Sequence, residues 1–229
     1  DAFIKVDNYT HTDDFNGLEA TDDPDLDYGL DSQQGIYLDG QDASATFKKN
    51  LTIEMSDGNR SMGIYATAGA SVDVAGNTDI TVKNAPYYTY GISNYYNDQR
   101  YNLKYSGGIP KLNFLGDLTI TTKGGNNSIG INLKSNSLSN AGAIKIGGNL
   151  KIHSSGAEEY TSKTDLQEFP DSVSNYGIYF YQIKGAEFNT ADITASSKKD
   201  DETYEAGAES IGIYNYMTSD MTFHGDASV

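Results

Sequence analysis

The side chains able to do chemistry in this 229-residue chain are 32 Asp and Glu, three His and 18 Tyr, with no Cys. Carboxylates are densest before residue 35, where Asp13, Asp14, Glu19, Asp22, Asp23, Asp25, Asp27 and Asp31 cluster. Hard cations such as Ca²⁺ take clustered carboxylate oxygens. Around Asp23-Pro24-Asp25-Leu26-Asp27, however, the Gly and the closing Glu of an EF-hand loop are missing, and no Gly-rich nonapeptide calcium repeat occurs. Residues 1–34 therefore read as a solvated acidic cap or an incomplete first repeat, and no metal or cofactor is expected. His11, His153 and His224 stand apart from one another, which gives nucleophilic or general-base catalysis no constellation to work with.

The tyrosines are a different matter. Tyr87, Tyr88, Tyr90, Tyr95, Tyr96, Tyr101 and Tyr105 form one concentration, and Tyr176, Tyr179, Tyr181, Tyr214 and Tyr216 a second. Tyr supplies rigid, amphipathic contact area at low entropic cost, the property of a recognition surface. The candidate binding residues are Tyr95, Tyr96, Arg100, Tyr101 and Tyr105 in one insert, and Tyr179, Tyr181, Tyr214 and Tyr216 on strand faces. Tyr37, Tyr65, Tyr179 and Tyr214 have a plainer role open to them, as stacked ladders that stabilise a sheet by up to about 1 kcal/mol per pair.

The elements that position these residues follow from a repeat. Gly-Ile recurs at Gly35, Gly63, Gly91, Gly130, Gly177 and Gly212, at intervals of 28, 28, 39, 47 and 35 residues, so a unit of 28 is repeated with inserts. Self-similarity at such a period signals stacked supersecondary units. Within each unit the apolar residues alternate with polar ones in three short segments, the period-two signature of strands with one buried face. The first segment carries the Gly-Ile phrase. The second pairs apolar residues around an outward Thr46, Asp73, Asn113, Lys145, Glu187 or Thr222. A turn at Asn50, Asn77, Asp117, Asn149 or Asp226 leads into the third, for which Thr52, Asp79, Thr119, Lys151, Thr194 and Ser228 are read as outward. The fifth unit is one residue short at that turn.

Three strands and three corners per unit make a right-handed parallel β-helix of about six rungs over residues 35–229, each rung rising by roughly 4.8 Å. Ile92, Ile131, Phe114 and Leu118 fall in its buried register. Three inserts, Asn94 to Pro110, Gly156 to Asn175 and Ser197 to Ser210, leave at corners, where solenoids commonly place binding loops. The end at Asp226-Ala227-Ser228-Val229, inside a unit and without a capping segment, leads us to expect a fragment of a longer protein.

Composition narrows the function classes. Sixteen Lys and Arg against 32 Asp and Glu give a net charge of −16 and a pI near 4.3. No basic stripe is present for nucleic-acid phosphates or anionic lipid. No apolar run is long enough to insert into a membrane. The outward positions of the second and third segments place no two carboxylates side by side, whereas glycoside hydrolysis needs a pair roughly 5–10 Å apart.

The GIY-type opening, the corner Phe114 to Ile120 and its variants Phe47 to Ile53 and Ile146 to Ile152 resemble the passenger domains of autotransporters, bacterial proteins secreted through their own outer-membrane barrel. The resemblance covers residues 35–229 and describes the repeat, not a binding site. It implies a β-helix displayed on a Gram-negative cell surface, often an adhesin or self-associating factor. The Gly-Asp-Ser-Gly type motif of the serine-protease passengers is absent here. Proteins of two-partner secretion share the same repeat. The expectation is thus a non-catalytic adhesin module that binds a host cell-surface glycan or protein, or another copy of itself. The alternatives are a polysaccharide-degrading enzyme and a passive stalk.

Overall fold

The computed structural model describes residues 1–6, 32–56, 60–67, 69–84, 88–94, 109–124, 127–135, 143–156, 174–196, 209–217 and 220–229. Among them there are 17 strands and no helix, and every strand pairing is parallel. The first segments form a six-stranded sheet of their own. Its strands β2 (Ser32–Asp39), β5 (Arg60–Thr67), β8 (Tyr88–Ser93), β11 (Asn127–Lys134), β13 (Ser174–Tyr181) and β15 (Glu209–Tyr216) lie side by side in repeat order. Ile36, Ile64, Ile92, Ile131, Ile178 and Ile213 are successive partners across it.

The second and third segments share one eleven-stranded sheet, although a corner between them was expected in every repeat. In four repeats two separate strands are present: β3 (Ser44–Phe47) and β4 (Leu51–Ser56), β6 (Ser71–Val74) and β7 (Thr78–Lys83), β9 (Lys111–Phe114) and β10 (Leu118–Lys123), and β16 (Met221–Phe223) and β17 (Ala227–Ser228). In the other two, β12 (Ile144–Ser155) and β14 (Ala186–Ser196) run unbroken through the turn and join the columns. The third column also has a member that the acidic composition of residues 1–34 had hidden. Strand β1 (Ala2–Val6) pairs with β4, with Ile4 on Ile53.

Apolar residues from both sheets meet in one core. Ile92, Ile131, Phe114 and Leu118 are each fully buried, as their register requires. Phe180 stacks on Phe188 at 6.4 Å between ring centroids, and Phe188 on Phe223 at 5.0 Å.

The recurring glycine has a steric cause. A Cβ at Gly35, Gly63, Gly91, Gly130 or Gly177 would sit 2.6–2.7 Å from the carbonyl oxygen of the next glycine in the column. It would also lie no farther than 2.7 Å from Cγ2 of Ile53, Ile80, Ile120, Ile152 or Ile193 on the third strand of the same repeat. The glycine faces inward, as does the Ile that follows it, so the period-two alternation breaks at this one point. The glycine lets the first sheet approach the third column closely.

At the turn between the second and third columns a polar ladder runs from repeat to repeat. The backbone N–H of Asn77 donates to Asn50 Oδ1 at 2.9 Å, that of Asp117 to Asn77 Oδ1 at 3.1 Å, and that of Asn149 to Asp117 Oδ1 at 2.7 Å. In the shortened fifth repeat the Thr190 hydroxyl donates to Asn149 Oδ1 instead. The missing residue appears as a register shift between Ile146 and Asn149.

Candidate functional site

The outer face of the six-stranded sheet carries the tyrosines. Tyr179 and Tyr214 are partners across β13 and β15, as are Tyr181 and Tyr216. Their rings stack at 4.7 Å and 12° for the first pair and 5.1 Å and 21° for the second. Tyr176 meets Tyr179 edge-on at 5.1 Å and Tyr214 at 5.9 Å, while Tyr214 lies 6.4 Å from Tyr216. Four candidates chosen from sequence are therefore one contiguous surface, with Tyr176 as a fifth member. Rings stacked along the sheet use their faces on each other and turn their edges outward. Tyr216, on the last strand, is 42% exposed.

A cation borders this patch. Lys134 on β11 pairs in register with Tyr181, and its Nζ lies 4.8 Å from the Tyr179 ring centroid. Burial lowers its pKa from the usual 10.5 to about 8. Asn94, the first residue of the Tyr-rich insert, is fixed to the same segment. Its Nδ2 donates to the Lys134 carbonyl at 2.8 Å and its Oδ1 accepts from the Lys134 N–H at 2.8 Å. Tyr95, Tyr96, Arg100, Tyr101 and Tyr105 lie outside the described residues. Asn175 and Ser210, expected in the other two inserts, are strand residues of β13 and β15.

Toward the middle repeats the outer face becomes a second apolar cluster. Met62, Tyr65, Tyr88, Tyr90 and Ile129 are buried there, with Tyr176 and Tyr179 packed against them. Tyr37 stacks on Tyr65 at 5.4 Å and 13° and is 59% exposed, whereas Tyr65 is buried. Ser93 and Asn132, at the same outward position in the third and fourth repeats, are buried as well and joined by a 3.2 Å bond from Asn132 Nδ2 to Ser93 Oγ. The position after Gly-Ile points outward as expected. In the middle of the sheet, however, pointing outward does not mean exposure.

The opposite outer surface carries the charged columns. Thr46, Asp73, Asn113, Lys145, Glu187 and Thr222 are successive neighbours, as their spacing predicts. Asn113 Nδ2 donates to Asp73 Oδ1 at 3.3 Å, and Lys145 Nζ lies 3.2 Å from Glu187 Oε2, an exposed pair of small energetic worth. The third column needs one correction: Asp192, not Thr194, stands next to Lys151, because the short turn shifts the phase of the fifth repeat. Thr194 pairs with His153 two residues on, on the same exposed face. The corrected column, Thr52, Asp79, Thr119, Lys151, Asp192 and Ser228, still alternates its charges. Among the described residues no three His, Cys, Asp or Glu come together in a group that could hold a metal ion. No described helix is long and apolar enough to cross a membrane.

One polar feature lies inside. Ser61, Thr89, Ser128 and Asn175 are consecutive partners in the first column and fully buried. Ser128 Oγ donates to Thr122 Oγ1 at 2.9 Å, Ser154 Oγ donates to the Ser128 carbonyl at 2.7 Å, and the Thr89 hydroxyl donates to the Gly124 carbonyl. This column was missed from sequence because the break at glycine reverses the facing of the residues before it. The recurrence of Gly at the point where the alternation breaks is the sequence signal for it.

The comparisons with known proteins add no relative: no family model, curated protein or solved structure matches the chain.

Proposed function

We propose that the chain is a right-handed parallel β-helix segment of a non-catalytic adhesin, presented outside a Gram-negative cell in the manner of an autotransporter passenger. Successive repeats pairing in parallel and in order, with like residues stacked on like, support the solenoid. The observation that carries the binding role is the stacked surface of Tyr176, Tyr179, Tyr181, Tyr214 and Tyr216. A sheet needs no such concentration for its own pairing, and aromatic side chains held rigidly at a surface are what recognition sites are built from. The partner is a host-surface glycan or protein, or a second copy of the chain. Asn94, where the Tyr-rich insert begins, is tied to Lys134 on the strand beside this patch.

The test is a glycan and extracellular-matrix array run beside a self-association assay, with the chain as it stands and with residues 95–108 replaced by a tight turn. We expect binding to at least one class, lost on shortening, with the melting temperature unchanged, since long inserts add only a slowly growing closure cost. An early-melting variant that still binds would assign the insert to the scaffold. New reducing ends or unsaturated products from a polysaccharide panel would favour an enzyme.

A further inference from the structure

Outside any binding role, the pair Tyr181 and Tyr216 has the geometry for a covalent modification. We propose that Tyr181 and Tyr216 form a site of oxidative tyrosine cross-linking, at which a peroxide-driven one-electron oxidant joins the last two strands of the tyrosine-bearing sheet. Three observations set this pair apart. The rings are held 5.1 Å apart and 21° from parallel on in-register neighbours, so two phenoxyl radicals formed there are already an encounter pair. Tyr216 is 42% exposed and Tyr181 partly so, which lets an oxidant reach them. Both are the final residues of their strands, and the residues that follow, Gln182 and Met217, turn the chain out of the sheet at φ of 57° and 50°. Coupling requires each ring to tilt until two carbons ortho to the hydroxyls meet, and a strand end permits that movement. Tyr37 and Tyr65 stack at 5.4 Å and Tyr179 and Tyr214 more closely at 4.7 Å, but all four lie within their strands and Tyr65 is buried. Tyr214, 6.4 Å from Tyr216 and 4.7 Å from Tyr179, extends the cluster so that an oxidising equivalent arriving at any of its rings can pass to the exposed one.

The step balances. Each phenol loses one electron and one proton, the two radicals form a carbon–carbon bond between ortho positions, and the two displaced ring hydrogens shift to oxygen to restore both phenols. Overall the protein loses two hydrogen atoms, and one hydrogen peroxide is reduced to two waters. The product staples the fifth repeat to the sixth.

The experiment treats dilute protein with a haem peroxidase and hydrogen peroxide, then reads dityrosine fluorescence and tryptic peptides by mass spectrometry. The expected product is an intramolecular link, two hydrogens lighter than its parts, between the peptide ending at Lys184 and the one beginning at Asp200. Fragmentation should place it at Tyr181 and Tyr216, and Tyr216→Phe, which keeps the stack, should remove it. The cross-linked protein should melt at a higher temperature than the untreated protein. Oxidation at Met217 adds an oxygen and is told apart by mass. Coupling only between molecules, a link that persists in both Tyr181→Phe and Tyr216→Phe, or no link at all would overturn the proposal.

Discussion

Replacing Gly91 by Ala should destabilise the protein more than its single methyl group would imply. The new Cβ would lie 2.6 Å from the carbonyl oxygen of Gly130 and closer still to Ile120 Cγ2. Carbon atoms in contact ordinarily stand about 3.5–4.0 Å apart, so neither neighbour can stay where it is. Ile120 is fully buried in the core shared by the two sheets. The carbonyl belongs to the neighbouring strand of the sheet, and moving it disturbs the pairing on either side. Overpacking of a tight core costs about 1–3 kcal/mol, and a clash with both backbone and a buried side chain belongs at the upper end. For a chain of this size about 3 kcal/mol lowers the melting temperature by roughly 6–12 °C. Gly40→Ala is the control: its φ of 106° strains any other residue, but nothing lies within 4 Å of the added methyl. That strain costs about 1–2 kcal/mol. Thermal unfolding followed by circular dichroism should rank Gly91→Ala clearly below Gly40→Ala. Ile120→Ala, which removes Cγ2, should lessen the penalty of Gly91→Ala when the two are combined. If Gly91→Ala melts within 2 °C of wild type by this estimate, the close approach at the glycine column is wrong.

Other substitutions test other parts of the structure. Ile131→Asp places an unpaired charge in a fully buried position and should abolish folding, read as loss of a cooperative melt. Asn77→Ala removes the acceptor for the Asp117 N–H at an exposed turn and should cost about 0.5–1.5 kcal/mol in denaturant unfolding, whereas a core column residue would cost more. Lys134 has a pKa lowered by burial to about 8, so the folded state binds fewer protons than the unfolded state between about pH 8 and pH 10.5. Its charged form therefore weakens the fold below pH 8, and stability should rise with pH through that window by about 3 kcal/mol at most. Lys134→Met should flatten that slope and raise stability at pH 7, and an unchanged slope would refute the assignment.

Much of the strand order was legible because inward residues repeat two apart and each column repeats its residue type. The outward positions from Thr46 to Thr222 pair in the predicted order, and the Asn and Asp turn residues bond to one another as a ladder. What failed did so for physical reasons. Ala2 to Val6 alternates as a strand, but the acidic composition of the following stretch left residues 1–34 open between a cap and an incomplete first repeat, without placing β1. The one-residue deletion before Asp192 put the third segment of the fifth repeat two residues out of register, so Ile193 still faces inward and Thr194 outward but each stands one pair farther along than expected. The buried outward positions Tyr65, Ser93 and Asn132 could not be read, because alternation reports direction and carries no information on what lies above the sheet. Of the candidate site, the adjacency of Tyr179, Tyr181, Tyr214 and Tyr216 was implicit in the repeat; the role of Tyr176, set edge-on between two of them, was not.

The claim that this outer tyrosine surface binds a partner is tested most directly by substituting Tyr181 and Tyr216 together with Ser, at the exposed margin of the patch, and repeating the array and self-association measurements. The account predicts that the double variant folds and that its affinity for whichever glycan, matrix protein or second copy the wild type binds falls by about 2 kcal/mol or more, roughly thirtyfold in Kd. Undiminished binding by the folded double variant would contradict it.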